Sequence, residues 1–338
     1  MSQVSTSPSA RQTLSPQLHL TKQPILWLRA FWKFARPHTI IGTSLSVLGV
    51  FVLAFSGNGE WGMGNGEWGM ENHLLFVPML ASVLFTLLAC LCGNVYIVGL
   101  NQLEDVAIDR INKPHLPLAS GEFSRQQGIR IVGVMGVLAI ALAWSQGPYL
   151  LAMVVTSLLI GTGYSLPPIR LKRFPFWASL CIFSVRGVVV NLGLFLHFNQ
   201  GLPIPLRVWA LTLFILVFTG AIALFKDIPD TEGDRQYNIT TFTLKLGQQA
   251  VFSLTRWILT ACYLGIILAV ILGLPGVNAP LLFATHLVAM TVFWIRSFRV
   301  DLKDKIAISR FYQFIWKLFF LEYLLFPALC LPWLNTTM

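Results

Sequence analysis

The sequence predicts an all-α, polytopic membrane protein with nine transmembrane helices. Of its 338 residues, 55% are hydrophobic and 11% are charged, whereas a soluble domain carries about 25% charged residues. Apolar stretches recur along the chain at lengths near the ~20 residues that a spanning helix needs. The basic residues are concentrated in every second loop between those stretches, which is typical of the cytoplasmic side of a membrane protein.

A polar segment begins the chain. Residues 1–24 are rich in Ser, Thr, Gln and Pro and contain no acidic residue. The segment is short and has no clear amphipathic period, which favours a disordered tail over a transit peptide. We therefore interpret residues 1–30 as a flexible cytoplasmic tail and residues 31–338 as a single transmembrane domain.

Nine apolar stretches follow the tail, and each is compatible with one spanning helix. The third and the eighth are the shortest. The predicted spans cover residues 38–56, 76–102, 129–145, 148–166, 176–198, 207–225, 251–273, 280–295 and 311–333.

The distribution of Lys and Arg predicts the orientation of these spans. Basic residues precede the first span and lie after the second, fourth, sixth and eighth spans, whereas the alternate loops contain only Arg207. Because basic loops stay in the cytoplasm, the N-terminus should be cytoplasmic and the C-terminus should not. The net charge of +10 is thereby explained by topology, and no nucleic-acid partner is expected.

Two further features are interpreted without a chemical role. Residues 57–70 read GNGEWGM twice in tandem, and we expect a tolerant loop on the non-cytoplasmic side. The five cysteines lie in apolar stretches without metal-ligand spacing, so we expect small buried side chains. The chain has no P-loop, no HExxH motif and no Ser/His/Asp arrangement, which leaves nucleophilic and zinc chemistry unsupported.

The end of the second span carries the first of two acidic motifs. It reads NQLEDVAID and places Asn101, Asp105 and Asp109 four residues apart. On a helix, residues at this spacing lie on one face.

The second acidic motif follows the sixth span and reads KDIPDTEGD. Its Asp227, Asp230 and Asp234 also share a helix face, at positions i, i+3 and i+7. Pro229 and Gly233 should distort that helix.

Both motifs lie at a membrane boundary, where neighbouring carboxylates repel one another and a cation should compensate. Oxygen ligands without His or Cys favour Mg²⁺ or Ca²⁺, and Mg²⁺ commonly joins one or two carboxylates to a substrate phosphate. A solvated acidic loop is the alternative. Two clusters at the cytoplasmic ends of two different spans favour the metal site.

Basic residues beside the motifs could neutralise diphosphate oxygens that the metal leaves uncovered. Each could instead serve only to set topology. Arg36, at the start of the first span, and Lys172, after a Pro-Pro turn, are the strongest candidates. The full set assigned to diphosphate binding is Arg36, Arg110, Lys113, Tyr164, Lys172, Lys226 and Arg235.

The two motifs, NQxxDxxxD and KDxxDxxGD, and the loop YSLPPIRLK between them resemble the UbiA superfamily of intramembrane aromatic prenyltransferases. The resemblance runs from about Phe31 to the last span. It implies nine helices around a central cavity, with both motifs at its cytoplasmic mouth. It also implies that the five Asp residues are essential for catalysis and that Mg²⁺ is held by Asn101, Asp105, Asp109, Asp227, Asp230 and Asp234.

Longer strings, among them FWKFARPHTIIGT at 31–43 and VRGVVVNLGLFLHF at 185–198, resemble the cyanobacterial branch of that superfamily that prenylates homogentisate. This similarity implies transfer of a phytyl group from phytyl diphosphate to homogentisate, with decarboxylation, to give 2-methyl-6-phytyl-1,4-benzoquinol for tocopherol biosynthesis. A thylakoid or plasma membrane location is implied as well. The chain departs from the family in its repeat-bearing loop and at Leu103-Glu104.

Three alternatives are weighed at this point. A sister enzyme of the same family, such as a homogentisate solanesyltransferase or a chlorophyll synthase, would use the same chemistry on another donor or acceptor. A transporter would also have many spans, but carriers place their polar groups near the midplane of the membrane. The same acidic clusters disfavour a purely structural membrane protein.

Two charged residues are predicted inside the bilayer. Arg186 and Glu322 each lie about ten residues from the cytoplasmic end of a span, which corresponds to a depth of ~15 Å. Unpaired charges at that depth are costly. We therefore expect either an ion pair between the two or separate compensation by water or backbone groups.

Overall fold

The computed structural model describes residues 16–56, 70–231, 235 and 240–332, with side chains from residue 77 onwards in the second range. Throughout these ranges the regular secondary structure is helical and contains no strand. The GNGEWGM repeat lies outside the described residues except for Met70, and so does Asp234.

Fourteen α-helices make up the described part of the chain, joined by short loops. A 3-10 turn covers Leu171–Arg173, and a π-helical turn, Ser184–Val189, joins α8 to α9. The helices are α1 Pro24–Phe34, α2 Pro37–Phe55, α3 Met70–Glu104, α4 Val106–Asn112, α5 Pro117–Ser120, α6 Arg125–Gln146, α7 Pro148–Ser165, α8 Pro175–Phe183, α9 Val190–Phe198, α10 Leu206–Phe225, α11 Phe242–Leu246, α12 Gln248–Ile271, α13 Ala279–Ser297 and α14 Lys305–Leu329.

Eight helical segments in the described residues are long and apolar enough to cross a membrane: α2, part of α3, α6, α7, α8 through α9, α10, α12 and α13. They coincide with the first eight predicted spans to within a few residues. The ninth predicted stretch forms α14, whose 25 residues correspond to ~37 Å. Lys317 and Glu322 make α14 less apolar than the others, yet it packs against α2 and α10 as part of the bundle.

The helices close into a ring. Going around it, α2 packs against α3, α3 against α7, α7 against α9, α9 against α10, α10 against α14, and α14 against α2 again. Helix α6 packs on α3 and α7, while α12 and α13 continue from α10 towards α14. The ring interior is rich in buried aromatic side chains, such as Phe218, Phe319 and Phe326.

The outer surface of the bundle is apolar. Val137, Leu159 and Leu268, on three different helices, are all more than half exposed. In water such a surface would be an aggregation hazard, whereas in lipid it is the expected outer face of a spanning bundle. The chain is an integral membrane protein with multiple spanning helices.

Consecutive spans run in opposite directions. The start of α2 therefore lies at the same end of the bundle as the C-terminal ends of α3, α7 and α10. We call this the motif end, because both acidic motifs lie there. Helix α1 and the short helices α4 and α5 cover it.

Part of the predicted 1–30 tail is instead packed at the motif end. From Pro24 the chain forms α1, because Ala30 and Phe34 are buried there. The ring of Phe34 lies 5.9 Å from that of Phe123. Lys33 Nζ also lies 2.7 Å from Glu122 Oε1, so α1 is tied to the loop before α6.

Candidate active site

The first acidic motif spans the junction of α3 and α4. Helix α3 ends at Glu104 and α4 begins at Val106, with Asp105 between them. The amide of Asp105 nevertheless donates to Asn101 O at 3.1 Å, and the amide of Asp109 donates to Asp105 O at 2.8 Å. These bonds keep the helical register across the break, so the shared face predicted from the spacing is retained.

The second motif lies where α10 stops. Lys226 caps the helix, and residues 226–230 form turns rather than continuing it, as expected for the distortion at Pro229. The hydroxyl of Thr231 donates to Ile228 O at 2.8 Å and supports the turn.

The two motifs meet through Lys113 at the C-terminus of α4, whose ammonium forms an ion pair with Asp230 of the second motif. Burial lowers the pKa of Lys113, but the carboxylates of Asp230 and Asp109 outweigh burial, so the net shift is upward. Lys113 follows the first motif, and Asp230 lies 117 residues further along the chain. The ion pair between them therefore joins the two motifs into one cluster.

Asp109 occupies the least exposed position in the cluster, with 5% of its surface accessible. Burial is the main cause that raises its pKa to about 6, and the charges of Asp105 and Asp230 add to this effect while Arg36 and Lys113 oppose it. Its Oδ2 atom is buried and accepts no hydrogen bond within the described part of the chain. A cation bound at Oδ2 would satisfy it.

The loop after α7 closes a third side of the cluster. Lys172 is buried, and its Nζ lies 2.7 Å from Asp105 Oδ1 and 3.3 Å from Asn101 Oδ1. Burial lowers the pKa of Lys172, and Asp105 opposes that shift. The structure therefore brings the predicted Lys172 directly onto the first motif.

Arg170 contacts the same carboxylate, with Nη2 3.2 Å from Asp105 Oδ1. It adopts a left-handed backbone, φ 39°, which is uncommon for a residue with a side chain. We did not single out Arg170 from the sequence. Its signal was its place in the YSLPPIRLK string, two residues before Lys172.

Tyr164 and Lys226 form a further part of the cluster. Lys226 Nζ donates to the Tyr164 hydroxyl at 3.2 Å and lies 3.6 Å from Asp227 Oδ1. Burial raises the pKa of Asp227, and Lys226 opposes that shift. Both predicted side chains thus lie on the second motif.

The remaining predicted basic residues differ in their placement. Arg36 precedes α2 and has a left-handed φ of 54°. Its Nε atom is buried and has no hydrogen-bond partner among the described residues. The positive charge of Arg36 lowers the pKa of Asp109. Arg110 and Arg235 are exposed, and neither is in ion-pair contact with a described carboxylate. Arg110 follows Asp109 directly on α4 and so points about 100° away from it.

The oxygen atoms of the cluster are suitable ligands for a Mg²⁺ ion that is also bound by a substrate phosphate. All its potential ligands are oxygens, and Asp109 Oδ2 lacks a partner. Among the described residues no three acidic, His or Cys side chains converge into a complete metal site. Mg²⁺ commonly takes only one or two carboxylates and completes its shell with substrate phosphates and water.

Of the two arrangements expected for Arg186 and Glu322, the ion pair is not formed, and each residue has partners of its own. Glu322 on α14 is hydrogen-bonded to His286 Nε2 on α13, with 3.1 Å between Nε2 and Oε2, and both residues are buried. The Arg186 guanidinium instead lies over the rings of Trp316 and Phe319, 5.4 and 5.7 Å from their centroids. Arg186 and Glu322 have similar depths but face different helices.

Residues 70–318 match the model of the UbiA prenyltransferase family. The chain is 53% identical to the homogentisate phytyltransferase of Synechocystis sp., over 92% of this chain and 98% of that protein. It is 41% identical to the chloroplastic homogentisate phytyltransferase 1 of Arabidopsis thaliana, over 89% of this chain and 75% of that protein.

A similar fold is found in a UbiA homologue from Archaeoglobus fulgidus whose structure was solved bound to GPP and Mg²⁺. The TM-score is 0.54 at 16% identity, covering 88% of this chain and 99% of that one. At this identity the similarity concerns the fold.

Proposed function

Since this chain belongs to the UbiA prenyltransferase family, we propose that it transfers a phytyl group from phytyl diphosphate to homogentisate at the motif end of the bundle. The reaction would release diphosphate and CO₂ and yield 2-methyl-6-phytyl-1,4-benzoquinol. The ion pair between Lys113 and Asp230 is the structural observation that supports one site built from both motifs. The 53% identity to the Synechocystis enzyme over 92% of the chain supports the choice of substrates.

The acidic residues would hold the metal that the family uses. Mg²⁺, when bound by the two motifs, neutralises charge on the diphosphate and so makes it a better leaving group. The residues proposed to hold it are Asn101, Asp105, Asp109, Asp227, Asp230 and, outside the described residues, Asp234.

The basic side chains would bind the diphosphate directly. Lys113, Lys172 and Arg170 are each paired with a motif carboxylate. Anionic phosphate oxygens can replace those carboxylates as hydrogen-bond acceptors when a metal engages the carboxylates. Lys226, held by Tyr164, and Arg36 complete this set.

The bond changes balance without any further reactant. The allylic C–O bond breaks, and its electron pair leaves with diphosphate. A ring carbon of homogentisate bonds to the allylic carbon and loses its proton. The side-chain carboxylate leaves as CO₂, and the methylene carbon takes up one proton to become a methyl group. The proton lost by the ring equals the proton gained by the methyl group.

The bundle interior suits the apolar donor and its cation. Large side chains such as Phe218, Phe225 and Phe319 are fully buried there. An interior that excludes water protects a carbocation from hydrolysis, and aromatic faces stabilise positive charge.

The orientation proposed for the protein places the motif end in the cytoplasm. The support is the concentration of Lys and Arg at that end. The host membrane would be the thylakoid or plasma membrane of a cyanobacterium, as implied by the similarity to the Synechocystis enzyme.

A transporter remains the rival of another class. Carriers bind their cargo near the midplane, whereas the described carboxylates of both motifs lie at one end of the bundle, at or beyond the helix ends. This placement favours the enzyme.

The test is an assay of the purified protein with phytyl, geranylgeranyl and C45 diphosphates against homogentisate, 4-hydroxybenzoate and chlorophyllide. We expect homogentisate to be the preferred acceptor, and phytyl or geranylgeranyl diphosphate to outperform the C45 donor. EDTA should abolish transfer, and Mg²⁺ should restore it. Asp105→Asn and Asp227→Asn should each insert normally in the membrane and lose nearly all activity.

Each failure in this assay has a separate meaning. Preference for chlorophyllide or 4-hydroxybenzoate would overturn the proposed acceptor and leave the prenyltransferase intact. Full activity in EDTA would overturn the metal assignment. No transfer from any prenyl diphosphate, in folded protein, would overturn the enzyme itself.

A further inference from the structure

A cation without a carboxylate partner lies inside the bundle, beyond the motif cluster. Arg186 is eleven residues from the start of α8 at Pro175, which places it ~16 Å along the helix axis. Within the described residues no carboxylate lies within the 4.0 Å of an ion pair with its guanidinium. A lone charge at such depth is costly, and ionisable residues there usually serve a function.

The backbone holds Arg186 in place by a π-helical turn, Ser184–Val189. Such turns are rare in proteins, and those that do occur are often found at functional sites. Asn191 Nδ2 donates to Gly187 O at 2.8 Å, and Asn191 Oδ1 accepts from the Tyr323 hydroxyl at 2.7 Å. Gly187 lies so close to α10 that an added Cβ would be 2.6 Å from Leu216 Cα. The turn is therefore anchored on two sides.

The surroundings of the guanidinium are aromatic and hydroxylic. It lies over Trp316 and Phe319, and the side chains of Tyr312 and Tyr323 lie near it. Trp316 also packs against His38, with ring centroids 4.9 Å apart. None of these groups carries a negative charge at neutral pH.

Gly42 on α2 lies in close contact with this guanidinium. A Cβ added to Gly42 on α2 would lie 3.0 Å from Arg186 Nη1, so glycine makes room for it. Protein atoms surround the Arg186 side chain, and yet part of its surface stays accessible. The guanidinium therefore packs closely against the backbone of α2, and a ligand would reach Arg186 at the part of its surface that stays accessible.

The position relative to the diphosphate cluster follows from α2. Gly42 is six residues beyond Arg36, or ~9 Å deeper along the helix. Arg36 lies near enough to Asp109 for its charge to lower the pKa of that carboxyl, whereas Arg186 lies against Gly42. The guanidinium therefore lies below the cluster, towards the part of the bundle that the donor's chain would enter.

We propose that Arg186 binds the carboxylate of homogentisate and that the neighbouring aromatic side chains, Trp316 foremost, flank its ring. This inference rests on the proposed function. A singly charged aromatic acid matches the lone cation, the aromatic faces and the depth below the diphosphate. Arg forms two parallel hydrogen bonds with a carboxylate, which orients the ring as well as holding it. The carboxylate that later leaves as CO₂ is thus the group by which the acceptor is positioned.

The test is steady-state kinetics of Arg186→Gln. Loss of a charge-assisted bond in a buried site corresponds to roughly a 10- to 100-fold rise in KM for homogentisate. The KM for phytyl diphosphate should stay within about twofold of the wild-type value, because the diphosphate cluster is untouched. With 2-methylhydroquinone, which has the same ring and no carboxylate, wild type and variant should perform alike.

Two further variants separate binding from folding. Gly42→Ala keeps the cation but pushes a methyl group against Nη1, so it should raise the homogentisate KM several-fold. Arg256→Gln is the matched control, since Arg256 stacks on Phe252 and Trp294 in the same manner but lies beside the loop 300–303. It should leave both KM values unchanged.

The outcomes are distinguishable from failure of the proposed function. If the wild type does not prenylate homogentisate, the proposed function is overturned, and this inference with it. If the wild type does so, an unchanged homogentisate KM in both Arg186→Gln and Gly42→Ala overturns the inference alone. A rise confined to the KM for phytyl diphosphate would assign Arg186 to the diphosphate instead, and would also overturn the inference.

Discussion

Replacing Asp109 with Asn should stabilise the metal-free protein while abolishing its activity. Asp109 is 5% exposed, and burial is the main cause that raises its pKa from 3.8 to about 6. The folded state therefore holds a proton on Asp109 more tightly than the unfolded state does. The contribution of Asp109 to stability is fully present below pH 3.8 and is lost as the pH rises to about 6.

The magnitude follows from the two pKa values. They differ by about two units, and each unit corresponds to about 1.4 kcal/mol. At neutral pH the ionised carboxylate therefore costs the metal-free fold about 3 kcal/mol. Asn keeps the size of the side chain and removes the charge. Because the neutral amide of Asn binds Mg²⁺ more weakly than a carboxylate and does not offset its charge, we expect turnover to fall by at least about 100-fold.

The assay is thermal unfolding of detergent-purified wild type and Asp109→Asn in EDTA, from pH 4 to pH 8. The wild type should lose stability as the pH rises through this window, and the variant should lose much less. At pH 7.5 the variant should unfold at the higher temperature, whereas added Mg²⁺ should stabilise only the wild type. A variant that unfolds earlier than wild type at pH 7.5 in EDTA, or that keeps the same pH slope, would refute the reasoning.

Three further predictions concern other charged residues and the chain terminus. Asp230→Asn should lower the free energy of unfolding by about 1–3 kcal/mol in EDTA, because it leaves the half-buried Lys113 without its partner; unchanged stability would show that the pair contributes little. Glu322→Gln should lower the free energy of unfolding by roughly 1.5–3 kcal/mol, because it weakens the hydrogen bond between Glu322 and His286. Its effect and that of Arg186→Gln should be additive in the double variant, since a large coupling would require contact between the two sites. A topology reporter fused after Met338 should read non-cytoplasmic, and a cytoplasmic reading would mean that α14 does not span the membrane.

Helix positions could be predicted from the sequence because each depends on a local property. A spanning helix satisfies its own backbone hydrogen bonds, so length and apolar composition suffice to place it. The same holds for the shared face of Asn101, Asp105 and Asp109, which follows from spacing alone and survives the break at Asp105. The start of α1 was missed because its burial against Phe123 depends on a distant part of the chain.

Partners across helices could not be predicted in the same way. Arg186 and Glu322 were matched by depth, but depth leaves the rotation of each helix about its axis undetermined. In the structure Glu322 faces His286, and Arg186 faces Trp316. Likewise, Arg110 and Lys113 are both basic and adjacent to the first motif, yet only Lys113 reaches Asp230.

The sequence by itself therefore determined the membrane class, the approximate limits of eight spans, and the two motifs with their oxygen-only side-chain ligands. Only the tertiary structure decided that Lys113 joins the motifs and that Arg170 and Lys172 share Asp105. It also decided that Arg186 lies against Gly42, with no carboxylate of the described residues in ion-pair contact. The physical reason is that periodicity and composition act over one or two helical turns. Pairing between helices is set by their packing, which here involves residues 65 or more positions apart in the chain.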